Sequence, residues 1–122
     1  EKWISARRTA ADIYRHNLEE VQEIYLPEVS NKAHHTYHLF VIQSKKRDDL
    51  INYLREKNIS TGIHYPKALP MLECYKSHKL DLEDYPEACK NSSRILSLPI
   101  FPEIREDQIK FVSQNIKDFY RR

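Results

Sequence analysis

Glycine is nearly absent: Gly62 is the only one in 122 residues, against an ordinary share of about 7%. A glycine-rich phosphate cradle or a dinucleotide-binding fingerprint needs several glycines at set spacing, so neither is encoded here. Uninterrupted apolar runs stay short, as at Leu39 to Ile42. Nothing of that length crosses a bilayer, and the first residues lack the apolar stretch of a signal peptide. The two cysteines, Cys74 and Cys89, are therefore expected to be reduced and the chain cytoplasmic. Met71 is the sole methionine, so Glu1 is not expected to be the natural start. Helical spacing already at the first residues adds to the expectation of a piece of a longer protein.

An excess of one charge is missing too. Lys and Arg number 20 and Asp and Glu 18, interspersed, for a net charge of +2. That supplies no electrostatic reason to expect nucleic acid as a partner. The clusters Arg7–Arg8, Lys45–Lys46–Arg47 and Arg121–Arg122 are short and read as solvated surface. What is present describes a folded, well-solvated single domain: 40% hydrophobic residues, 31% charged, with eight Tyr and four Phe to build a core.

Trp3, Ala10, Ile13, Tyr14, Leu18 and Val21 recur at helical spacing and predict an amphipathic helix over residues 1–19. Residues 22–33 read as a connector, and the compact core is expected over 34–122. His35 to Ile42 is rich in aromatic and β-branched residues, which predicts a central strand. Tyr37, Leu39 and Val41 would share one face, and His38, Phe40 and Ile42 the other. A second helix is expected over 47–57 with Leu50, Ile51 and Leu54 inward, and Asn58 as its left-handed stop. Further strands are predicted at 59–65 and 94–98, and short helical turns at 72–76 and 86–90. A last helix carries Ile109, Val112, Ile116 and Phe119 on one side. The order suggests an α/β fold of α+β type, a small sheet of about three strands with helices packed on it.

Four histidines invite a metal reading, but His35 and His38 would point to opposite faces of one strand, so no metal site is assigned. His38 reads as a semi-buried polar core residue, and His34 and His35 as loop surface. Cys74 and Cys89 fall on amphipathic turns and read as small apolar fillers. Scattered acids and the lack of a Ser-His-Asp grouping make self-contained catalysis unexpected. The most unusual stretch is Thr61 to Pro70, which places the only Gly beside His64, Tyr65 and Lys67 at a strand end stiffened by prolines. Imidazole, phenol and ammonium are all donors suited to phosphate oxygens. The plainer reading, a strand-ending turn hydrogen-bonded to backbone, fits the same residues.

Thr61–Gly62–Ile63–His64–Tyr65–Pro66, with Leu69–Pro70 and Tyr75 after it, resembles the signature of the C-terminal domain of the DegT/StrS family of sugar-nucleotide aminotransferases. His38 to Ile42 resembles that family's Tyr-His-Leu-Phe-Val-Ile strand, and Asp48 to Ile59 its following helix and turn. Leu96–Ser97–Leu98–Pro99–Ile100–Phe101–Pro102–Glu103 resembles its Leu-Ser-Leu-Pro stretch, and Trp3 to Tyr14 its linking helix. The resemblance covers nearly the whole chain, with residues 1–20 as the linking helix. It implies the small, mainly antiparallel C-terminal domain of a fold-type-I enzyme that uses pyridoxal phosphate (PLP). Nitrogen would pass from an amino acid, commonly glutamate, to a nucleotide-linked keto-sugar. The cofactor lysine would lie in a large domain outside this chain, so no PLP is expected on the fragment itself. The resemblance further implies a homodimer, and a small domain that closes one side of the cleft. On matching positions His64, Tyr65 and Lys67 would face the nucleotide-sugar. Pro70 and Leu72 stand where many members carry His and Gln, which removes two polar contacts and leaves the sugar open. Arg105 replaces a common Ser or Thr helix cap, a matter of helix stability rather than chemistry. A free-standing binding or regulatory module of the same fold is the other reading.

Overall fold

The computed structural model describes residues 1–122. Helix α1 spans Lys2–Leu18, strand β1 Ile24–Tyr25, strand β2 Phe40–Ser44 and helix α2 Arg47–Glu56. After several 3₁₀ turns come helix α3, Pro86–Ser92, strand β3, Ile95–Leu98, and helix α4, Glu106–Tyr120. The three strands form one antiparallel sheet in the order β1-β2-β3, with Phe40 opposite Leu98 and Ile42 opposite Leu96. The fold is thus the expected small antiparallel sheet with helices packed against it.

Strand alternation sends Phe40, Ile42, Leu96 and Leu98 to the core face, where all four are buried. Val41 and Gln43 point the other way and are half-buried. Helices α1, α2 and α4 supply the opposing layer. Tyr14 and Leu18 of α1, Leu50 and Leu54 of α2, and Ile109 and Ile116 of α4 all lose essentially all exposure. Each such side chain contributes roughly 1.5–3 kcal/mol of transfer free energy. Tyr14 stacks on Phe40 with ring centroids 5.0 Å apart, and its hydroxyl donates to the Pro99 carbonyl at 2.9 Å. Tyr53, which helical spacing did not single out, is also buried, packed against Phe119 and beneath the Arg122 guanidinium.

Several expectations are corrected. The strand predicted from residue 35 begins only at Phe40. Tyr37 sits at φ 48°, in the left-handed region, and this breaks the alternation that would have carried His38 inward. His38 is exposed and Tyr37 is buried instead. The kink is held locally: His35 Nδ1 accepts the Tyr37 N–H at 2.9 Å, and Arg8 Nε donates to the His35 carbonyl at 2.9 Å.

Residues 59–65 do not form a strand. Asn58 and Tyr65 bound the segment with left-handed backbones at φ 59° and φ 60°, and only Gly62 reaches β3, as an isolated bridge to Ser97. The third strand comes from within the expected connector: Ile24–Tyr25, paired with Gln43 and Ser44 of β2. Finally, Cys74 is exposed, so it fills no apolar space in this chain, while Cys89 is half-buried.

Candidate functional site

Gly62 makes two backbone hydrogen bonds with Ser97 at the outer edge of β3. Its N–H donates to the Ser97 carbonyl at 3.0 Å, and Ser97 N–H donates back at 2.7 Å. This bridge anchors the start of the candidate segment on the sheet and blunts its free edge. Gly62 has ordinary backbone angles; what it needs is space. A Cβ there would meet His64 Cε1 at 3.2 Å and Ser97 Cβ at 3.9 Å. The absent side chain leaves room for the imidazole, and His64 Nδ1 lies 2.9 Å from Ser97 Oγ.

The chain then turns at Tyr65, whose left-handed φ of 60° is uncommon for an aromatic residue. The turn leaves the Tyr65 side chain 83% exposed. Tyr65 and Lys67 line one open groove of about 420 Å³, together with Leu69 and with Asn91, Ser92 and Ile95 across from them. No carboxylate lines it, so Lys67 is its only charge. Among the sequence candidates, the structure thus gathers Tyr65 and Lys67 into one groove and turns the His64 ring toward β3. Ser97, Asn91 and Ser92 were not singled out as site residues. Ser97 stands within the Leu96–Ser97–Leu98–Pro99 stretch, whose pattern carries no sign of a site role, and the other two become neighbours only through the packing of α3.

A larger groove of about 540 Å³ lies between Pro99, Phe101, Ile104 and the α4 residues Gln108 and Phe111. It contains no His, Lys or Arg, and Asp107 is its only ionic group. The exposed Arg105 guanidinium engages that carboxylate at 2.9 and 3.0 Å and draws its pKa below the ordinary value. The same arginine cannot accept a hydrogen bond as a Ser or Thr cap would. Gln108 Oε1 instead accepts the Arg105 N–H at 3.0 Å, giving one half of a capping box. Elsewhere, no three His, Cys, Asp or Glu side chains converge as metal ligands, and no helix is long and apolar enough to cross a membrane.

The DegT/DnrJ/EryC1/StrS aminotransferase family model matches residues 1–117. The chain belongs to this family. A pleiotropic regulatory protein of Geobacillus stearothermophilus is 34% identical over 99% of this chain and 33% of its own length. The UDP-N-acetyl-3-dehydro-alpha-D-glucosamine 3-aminotransferase of Acidithiobacillus ferrooxidans is 34% identical over 91% of this chain and 29% of its own. Among solved structures, S. venezuelae DesV in complex with a ketimine intermediate superposes with a TM-score of 0.91 at 26% identity. That match covers 98% of this chain and 32% of DesV. The chain therefore spans about a third of the length of the relatives it matches.

Aminotransferases of this family depend on PLP. A PLP site combines a Schiff-base lysine with an acidic partner for the ring nitrogen. Lys67 is exposed, and the groove it lines contains no carboxylate. This groove by itself does not supply the cofactor's two partners. What it offers is a set of hydrogen-bond donors without a competing negative charge.

Proposed function

We propose that this chain is the small C-terminal domain of a PLP-dependent aminotransferase that converts a nucleotide-linked keto-sugar to an amino-sugar. The observation that carries the reading is a family match over almost the whole chain that amounts to only a third of each relative. The cofactor and its lysine belong to a large domain outside these residues, an amino acid supplies the nitrogen, and the whole protein works as a cytoplasmic homodimer. By itself the 122-residue chain is inactive. Its part is to close one side of the cleft with donors aimed at diphosphate or sugar oxygens: His64, Tyr65 and Lys67. A groove with a lysine and no carboxylate favours an anionic ligand over a cationic one.

The test uses the whole protein that contains this chain. Its visible absorption band should show bound PLP and shift when glutamate is added. His64→Ala and Tyr65→Phe should each raise KM for the nucleotide-sugar roughly tenfold, the worth of one hydrogen bond to a charged group. The absorption band should stay where it was. A whole protein without PLP would sink the reading.

One observation favours a second reading, a non-catalytic regulatory module: a relative matched along 99% of this chain is described as a regulatory protein. Under that reading the whole protein shows no transfer of nitrogen from glutamate to any keto-sugar nucleotide.

A further inference from the structure

Ser97 lies on β3 between Leu96 and Leu98, with its side chain on the face opposite theirs, and it is 5% exposed. Its hydroxyl has one protein partner, His64 Nδ1 at 2.9 Å, across 33 residues of sequence. A hydroxyl is one donor and an acceptor, and each imidazole nitrogen is a donor or an acceptor according to the tautomer. If Nδ1 carried the proton, the Ser97 O–H would be a buried donor with no acceptor, which is the costly arrangement. If the hydroxyl donates, Nδ1 is the acceptor and the donor is satisfied. The neutral ring must then carry its proton on Nε2, the nitrogen not engaged with the sheet.

We infer that Ser97 is a positioning residue: its hydroxyl donates to His64 Nδ1, holding the ring in one orientation and in the tautomer that presents Nε2–H to an oxygen-rich ligand. The surroundings support the same arrangement. The two Gly62–Ser97 backbone bonds hold both ends of the contact at fixed spacing, and the missing Cβ at Gly62 leaves the ring its place. A serine on the strand therefore acts on the ligand through the histidine. The inference deepens the proposed substrate role of His64 and rests on it, while the ring geometry can be tested separately.

The experiment is nitrogen-15 NMR of the His64 imidazole in the whole protein that contains this chain, at about pH 8.5, above the ordinary imidazole titration range. The wild-type protein, Ser97→Ala and Ser97→Thr would be compared. The expected wild-type pattern is an unprotonated Nδ1 and a protonated Nε2 with a single χ1 rotamer. Ser97→Ala should move Nδ1 toward the value of a freely averaging ring and release χ1, while Ser97→Thr keeps the wild-type pattern. A proton on Nδ1 in the wild-type protein overturns the inference without any variant. So does a Ser97→Ala spectrum that matches wild type, or a Ser97→Thr spectrum that changes as much as Ser97→Ala. In the whole protein, Ser97→Ala should raise KM for the nucleotide-sugar three- to tenfold, about one neutral hydrogen bond, and leave kcat within twofold. If His64→Ala leaves that KM unchanged, the substrate role of His64 fails while the ring result stands.

Discussion

At position 14 a phenol is wholly enclosed by the core, and two consequences follow. Its hydroxyl bonds the Pro99 carbonyl at 2.9 Å, so Tyr14→Phe should lower stability by about 1 kcal/mol at neutral pH, read from urea midpoints. Burial also pushes the Tyr14 phenol above its ordinary pKa, and burial does the same to Tyr120, whose hydroxyl is paired with Ser44. Both folded-state values are raised, so this contribution is fully present below about pH 10, the unfolded value, and declines as pH rises beyond it. Tyr14 alone can give a slope of up to about 1.4 kcal/mol per pH unit there. Tyr14→Phe should visibly flatten the alkaline limb of a stability–pH curve; an unchanged limb would assign the effect to other groups. Lys67 is a separate matter of surface charge. Under the proposed function, Lys67→Ala should weaken the salt dependence of nucleotide-sugar KM in the whole protein and leave the fold untouched.

At the scale of elements, α4 joins the helical layer together by packing on both α1 and α2. Ile116 in its middle is fully buried, so Ile116→Ala should cost about 2–5 kcal/mol in chemical denaturation, by lost transfer energy plus the cavity left behind. This helix was legible because its apolar residues Ile109, Val112, Ile116 and Phe119 recur over about three turns. The same holds for α1 and α2, whose inward residues Tyr14, Leu18, Leu50 and Leu54 were named by spacing alone. Strands were harder. Two residues of β1 are too few to show an alternation, and Ile24–Tyr25 pairs only because β2 offers it an edge. Residues 59–65 have strand composition, yet left-handed Asn58 and Tyr65 confine the segment to a single bridge.

Across the whole molecule, the exposed large apolar side chains are unevenly placed. Tyr65, Leu69, Met71, Tyr75, Leu80, Leu82 and Tyr85 are all substantially exposed along one stretch of chain, where Ala68 alone is buried. Trp3 is 65% exposed on α1. Where such side chains are contiguous they mark binding surfaces for other protein or for ligands. In the isolated chain, acrylamide should quench Trp3 almost as well as free indole; if the proposed large domain packs on α1, quenching should fall in the whole protein. Equal quenching in both would remove Trp3 from that interface. The sequence by itself determined the helices, the Phe40 to Ile42 part of the central strand and the family, because periodicity and motif are properties of neighbours along the chain. Only the tertiary structure decided that Tyr37 rather than His38 turns inward, that Ile24 joins the sheet, and that Ser97 meets His64. Each of these depends on backbone bends and on contacts between residues far apart in sequence, where local pattern carries no information.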